Sequence, residues 1–173
     1  MRSALSSFRW GLLLILIDFN LGSWDILPDF VGYFLFLEGL REMEEECPDI
    51  MRLAPFCKIL AWVNLAAWFL KPDIPLLSLF MTLLNIYVVY TILSEAAEYG
   101  IRQSYEEGKK LKRWKDILAV FQVVMFSVVN YAADGEAWVW VLGITYWIVS
   151  FRIIGLLIYM IENEDKKTAP GDV

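Results

Sequence analysis

Four oxygen-bearing side chains, Asp18, Asn20, Asp25 and Asp29, fall within twelve residues of an otherwise apolar N-terminal stretch. Converging from a short turn, they could hold a hard cation such as Ca²⁺ or Mg²⁺, which prefers oxygen ligands. They could equally exchange protons or bind a substrate amine. A plainer chemistry fits the same residues. Pro28 suits a helix start, where its missing N–H has no partner to lose. Asp25 would then cap that helix, and Asp29 in its first turn would meet the positive end of the helix dipole. No EF-hand spacing accompanies the cluster, so no metal is assigned and no cofactor is called for.

A second charged set lies deeper. Glu38 closes the stretch "WDILPDFVGYFLFLEGL". At 1.5 Å per residue it lies about 12 Å from the inner end of its helix, and Arg152 about 14 Å from the end of the last one. Lys58 and Arg9 each lie roughly 8–9 Å in. Depth makes Arg152 the expected ion-pair partner of Glu38, with Lys58 second. The competing expectation is separate snorkelling of the long basic side chains.

Catalysis finds little support. The chain has no histidine, which excludes Ser-His pairs and His-ligated metals. Two cysteines alone cannot complete an ordinary four-ligand zinc site; Cys47 and Cys57 read as reduced, structural thiols on the cytosolic side. No longer aspartate signature of a phosphotransferase or intramembrane protease is present. The chain is expected not to be an enzyme.

The elements that must position these groups are membrane helices. Of 173 residues 58% are hydrophobic and 16% aromatic, with a mean hydropathy of +0.51. Several runs approach the roughly 20 apolar residues that cross a bilayer core. The net charge of −6 sits outside them, much of it in Glu42, Glu44, Glu45, Glu46 and Asp49. Apolar runs predict six helices, at about 5–22, 27–46, 53–71, 74–97, 115–133 and 137–161. The expected fold is all-α: one integral membrane domain over 1–173, a polytopic bundle of about six transmembrane helices. The first two are short and interrupted by acids, so a re-entrant hairpin is the alternative there, its irregular backbone shielded by protein. Residues 98–114 are expected to form a cytoplasmic basic loop and 162–173 a flexible cytoplasmic tail. Arg2 and Arg9 precede an apolar run without a small-residue cleavage site, which reads as an uncleaved first helix.

Thirteen of the fifteen Lys and Arg residues fall on alternate sides, at the N-terminus, the second and fourth loops and the tail. By the positive-inside rule that side is cytoplasmic. Trp24, Trp68, Trp138 and Trp140 lie near the expected outer ends and Trp114 near an inner one, as interfacial rings do. Within the fourth loop Lys109, Lys110, Lys112, Arg113 and Lys115 either anchor topology or touch anionic lipid headgroups.

The words "NLGS" (20–23), "NLAA" (64–67) and "NYAA" (130–133) recur on three outward-running helices. Either Asn20, Asn64 and Asn130 line a central path between three related hairpins, or biased composition repeats them by chance. Asn64 and Asn130 are in any case candidates for polar helix contacts. Gly32 and Gly39, on the face of Asp29, mark close packing against another helix.

The core Asp25-Ile26-Leu27-Pro28-Asp29-Phe30-Val31-Gly32-Tyr33 resembles the N-terminal signature, of D-x-L-P-D-x-x-G-Y type, of small uncharacterised multi-pass membrane proteins of Firmicutes. The resemblance covers about the first 45 residues. It implies class and location, a multi-pass protein of the cell membrane, and carries over no catalytic residue.

An accessory or structural membrane protein is therefore the first functional expectation, because no filter or transporter motif is visible. A small transporter or channel protomer for a cation or small solute is the second, since embedded ionisable groups often mark a path. Expected partners are membrane lipids and either further copies or a membrane protein, not nucleic acid. Reporters fused at residues 1 and 173 should both score cytoplasmic and one in the 134–136 loop external. An internal score at that loop would overturn this orientation.

Overall fold

The computed structural model describes residues 1–16, 20–21, 24–25, 29–70, 74–131 and 137–168, with side chains over 1–16, 29–70, 74–128 and 140–167. It is all-helical but for one small ladder. In chain order come α1 (Arg2–Leu16), β1 (Asn20–Leu21), β2 (Trp24–Asp25), α2 (Asp29–Met43), a 3₁₀ turn (Pro48–Leu53), α3 (Ala54–Leu70), α4 (Pro75–Arg102), α5 (Glu106–Tyr131) and α6 (Ala137–Thr168). β1 and β2 pair antiparallel, Asn20 opposite Asp25 and Leu21 opposite Trp24.

The helices form a ring in the order α3–α2–α1–α6–α5–α4, with α3 and α4 meeting only marginally. Among the described residues three segments are long and apolar enough to cross a membrane: Pro48–Leu70, Pro75–Arg102 and Trp140–Lys167. Their outward faces are apolar, carrying Trp62, Phe69, Leu76, Phe80, Leu83, Trp140, Ile144 and Ile148, all largely exposed. A water-soluble bundle would turn such residues inward; a bilayer accepts them outside. The interior is apolar as well, with Leu5, Phe8, Leu12, Phe36, Leu40, Ile92, Leu93 and Leu111 fully enclosed.

The α1–α2 contact brings two backbones together. A Cβ on Gly32 would lie 2.8 Å from the Gly11 carbonyl oxygen and 2.6 Å from Ile15, and one on Gly39 would lie 2.5 Å from the Phe8 ring. Small residues let the two backbones touch, and the Phe8 and Phe36 rings then meet edge to face at 6.3 Å. The expected role of Gly32 and Gly39 is thus observed, with α1 as the partner helix.

Two expected boundaries change. Residues 98–114 are not a loop. α4 runs through Arg102 and α5 begins at Glu106, with a reversal over only three residues. Ser104 takes the left-handed conformation (φ 64°). The Tyr105 N–H donates to the Gly100 carbonyl and the Ser104 N–H to that of Ile101, a Schellman ending. The charged residues here are good helix formers, and pair as Glu106–Lys110 within a turn and Glu98–Lys112 across the helices.

Nor is the C-terminal segment a free tail up to Thr168. α6 continues that far because its polar side chains find partners. Glu164 accepts from the Tyr99 and Tyr105 hydroxyls at 2.6 and 2.9 Å, Asp165 pairs with Arg2 at 2.7 Å, and Lys167 donates to Gln103. Burial and the Glu164 carboxylate together push the Tyr105 phenol up to about 12.

Gly32→Val should destabilise the bundle by about 1–3 kcal/mol, the usual effect of overpacking. Its gain in helix propensity, under about 1 kcal/mol, is the smaller term. Thermal melting in detergent checks this; an unchanged midpoint would show that the backbone contact contributes little.

Candidate functional site

The seam between α3 and α4 is closed at one end and widens into a cavity along the rest of its described length. Toward the inner end Phe56 of α3 meets Tyr87 of α4 edge to face at 5.6 Å. Toward the outer end α3 leans on α2 instead, through Phe34–Trp62 and Phe30–Trp68 at 6.2 and 6.5 Å. The gap left behind is a cavity of about 490 Å³ between α2, α3 and α4.

Polar side chains collect on its wall. α2 supplies Asp29 and Tyr33, one turn apart; α3 supplies Asn64; α4 supplies Ser78, Thr82 and Asn85. The α4 residues follow i, i+4, i+7 spacing, one stripe of an otherwise apolar helix. At 1.5 Å per residue the stripe descends from about 4 to about 15 Å below the start of α4. At its foot the Tyr33 hydroxyl donates to Asn85 Oδ1 at 3.0 Å. The Asn64 amide nitrogen donates to the Leu60 carbonyl at 2.8 Å, one turn back on its own helix.

A second polar layer adjoins the first. The Ser150 hydroxyl on α6 donates to the Tyr146 carbonyl at 2.9 Å, one turn back on its own helix. Gln122 and Ser150 are buried. Val89, Leu93, Leu118 and Ile153, all enclosed, follow on the inner side. The arrangement is thus a polar cavity backed on one side by apolar packing. Among the described residues it holds no nucleophile–base pair of the kind covalent catalysis uses.

The N-terminal candidates are divided. Asp29 stands in the first turn of α2, as expected, and faces the cavity beside Asn64. Asn20 and Asp25 are opposed in the ladder, but their side chains, like Asp18 and the side chain of Asn130, lie outside the described residues. Among the described residues no group of three or more His, Cys, Asp or Glu is placed to hold a metal ion.

Glu38 and Arg152 are not brought together. α2 and α6 stand on opposite sides of α1 in the ring, and both residues are exposed on its outer face. Glu38 shares a groove of about 350 Å³ with Arg41 and Lys58, the second expected partner. Among the described residues no salt bridge joins Glu38 to either.

The basic stretch lies on α5. Lys109, Lys110, Lys112 and Arg113 are exposed, and Lys110 and Lys112 are paired with Glu106 and Glu98. The Lys110 ammonium holds the Glu106 carboxyl below the usual carboxylate range. Lys115 is different. It is 6% exposed, its ammonium lies 3.7 Å from the Tyr90 ring centre, and it donates to Asp116 at 3.0 Å. It is a packing residue rather than a headgroup contact.

Tyr33, Ser78, Thr82, Asn85, Gln122 and Tyr146 were not among the expected site residues. The i, i+4, i+7 stripe on α4 and the i, i+4 pair Asp29–Tyr33 were available signals. Their convergence across three helices was not.

No family model matches the chain, and neither a curated protein nor a solved structure does.

Glu38→Gln and Arg152→Gln should lower stability additively, within about 0.5 kcal/mol, as separated sites do. A double-mutant cycle in detergent checks this; a larger coupling would restore the pair.

Proposed function

We propose that the chain is a six-span protein of the cell membrane, with both termini cytoplasmic, that binds and carries a small polar or cationic solute entering from outside. The observation that carries this reading is the polar lining of the cavity between α2, α3 and α4, followed beyond Asn85 by apolar packing. Polar groups at membrane depth are costly unless they face a cavity or one another, and often mark a path. The site binds rather than catalyses.

The six-span count extends the three long segments to their neighbours. α1 and α2 have 15 residues each, about 22 Å of helix against a hydrocarbon core of about 30 Å. They fit as short spans completed by the segment between them, or as a hairpin inside the ring. Both stand between α3 and α6, and α5 stands between α6 and α4, so all three share the surroundings of the long helices. The positive-inside pattern and the resemblance of the Asp25–Tyr33 block to small multi-pass proteins favour the same placement.

A second reading, an accessory protein that binds a partner, is favoured by a charged pocket of about 330 Å³ at the opposite end. Glu46, Asp49, Arg52, Glu95, Glu98 and Arg102 line it, and Arg102 donates to the buried Cys47 sulfur at 2.8 Å. A stoichiometric partner retained through purification and released by Arg52→Glu would favour this reading.

Cysteine accessibility tests the first. Cys47 and Cys57 are buried free thiols, so a Cys47→Ser, Cys57→Ala background is silent. In it, Ser78→Cys and Thr82→Cys should react in intact cells with a membrane-impermeant thiol reagent, and Leu118→Cys should not. Protection of Thr82→Cys from outside, with reaction from the cytoplasmic face, would reverse the proposed access.

A further inference from the structure

The geometry points to an anionic phospholipid in the groove between α2 and α3, with its phosphate at the inner end and an acyl chain along the rings beyond. This rests on the membrane placement proposed above and not on the solute cavity. Six residues line the groove of about 350 Å³: Phe34, Leu37, Glu38 and Arg41 from α2, and Lys58 and Trp62 from α3. From Asp29 to Leu70 the chain is described without a break, side chains included, so both walls are known in full.

Register sorts these residues by depth. The Phe30–Trp68 and Phe34–Trp62 pairs set the two helices antiparallel. One turn further in, Glu38 and Lys58 come level, and Arg41 follows near the end of α2. At 1.5 Å per residue the three charged groups lie about 3–8 Å from the inner helix ends, and the two rings about 12–14 Å. A phospholipid presents charge and apolar chain in the same order. Phe34 and Trp62 remain 41% and 61% exposed, an apolar floor for that chain.

Charge selects the headgroup. Among the described residues neither Arg41 nor Lys58 enters an ion pair, whereas Arg2, Lys110 and Lys112 are each held by an acid. Glu42 accepts from Ser3 of α1, and Glu46 and Asp49 line the pocket against α4. Glu44 and Glu45 follow α2 in an exposed turn, where salt screens charge beyond about 8–10 Å. The C-terminus of α2 and the N-terminus of α3 meet here with opposite partial charges, which roughly cancel. Glu38 is thus the acid of the groove, and its lining keeps one cation in excess. One phosphodiester matches that excess. A guanidinium meets phosphate through paired N–H donors, an ammonium as a point charge, and both stems can snorkel to the interface from this depth. A choline or ethanolamine headgroup brings its own cation and gains less.

Tryptophan quenching tests the site. The full chain is placed in phosphatidylcholine vesicles containing a small fraction of chain-brominated phosphatidylglycerol or chain-brominated phosphatidylcholine. The phosphatidylglycerol should quench with an apparent preference of about fivefold, which is about 1 kcal/mol for one cation in excess. Trp62→Phe should remove the excess quenching. Arg41→Gln with Lys58→Gln should abolish the preference, Glu38→Gln should raise it, and Lys109→Gln with Lys110→Gln should leave it unchanged. Should the Arg41–Lys58 double variant fail to fold, Trp62→Phe, a mild change at an exposed position, still decides. Equal quenching by both lipids, or a preference kept in Trp62→Phe or in the double variant, would overturn the site and leave the membrane placement standing. Absence of quenching by either lipid would remove the placement itself.

Discussion

The backbone contact between α1 and α2 sets the rotation of α2, and much of the rest follows from that rotation. Gly32, Phe36 and Gly39 occupy i, i+4 and i+7 of α2 and all face α1. With that face committed, Asp29 and Tyr33 point toward the α4 side, where Tyr33 reaches Asn85. Phe30 and Phe34 point toward α3 and hold it through Trp68 and Trp62. A side chain at Gly32 would turn or displace the helix. The cavity would then lose two of its polar groups and the aromatic contacts that draw α3 away from α4.

The same geometry explains why polar groups gather on one side of the ring. A membrane interior supplies no water to satisfy a misplaced hydroxyl or amide. Asn64 meets this constraint by bonding back to its own helix, Asn85 by accepting from Tyr33, and Ser150 by donating to the Tyr146 carbonyl. The seam is where α3 and α4 do not interdigitate, so it can be hydrated where the packed junctions cannot. Inward of Asn85 the buried face of α4 becomes Val88, Val89, Ile92 and Leu93. Nothing polar on that face would draw water further.

Much of the architecture was legible in the sequence because apolar length and glycine placement are local signals. Six membrane helices were expected; among the described residues six α-helices occur, three of them long and apolar enough to span, with α1 and α2 the shortest, and Gly32 and Gly39 stand at a helix contact. The α4–α5 boundary was missed because a dense run of charges resembles a loop, although Glu106, Lys110, Lys112 and Glu98 stabilise helix by pairing. The site was legible only in fragments. Asp29 and Asn64 were singled out separately, yet nothing in their spacing assigns them to one cavity. The Glu38–Arg152 expectation failed for a related reason. Depth along a helix is a single coordinate read from residue number, whereas position around the ring depends on the packing order. Two charges at equal depth can stand on opposite sides of α1, and these do.

That packing order also says which helix beside the cavity is held least firmly. The inner ends of α4, α5 and α6 are tied by Tyr99 and Tyr105 to Glu164, by Lys167 to Gln103, and by the close approach of Gly100 to Gly108. α1 is bound to α2 by its glycine face and joined to α6 by Arg2–Asp165. Each of these junctions resists relative movement, because a shift must break a hydrogen bond or open a packed backbone contact. α3 is held chiefly to α2, by aromatic pairs on its outer half, and to α4 by Phe56–Tyr87 near its inner end. Aromatic edge-to-face contacts contribute about 0.5–1.5 kcal/mol each beyond their buried area. A swing of α3 about its inner contact therefore disturbs few strong interactions and directly changes the width of the seam. Such a motion would alter the seam alone. On the proposed solute-binding reading, movement beyond the cavity would need a separate displacement of Val89, Leu93, Leu118 and Ile153, all enclosed.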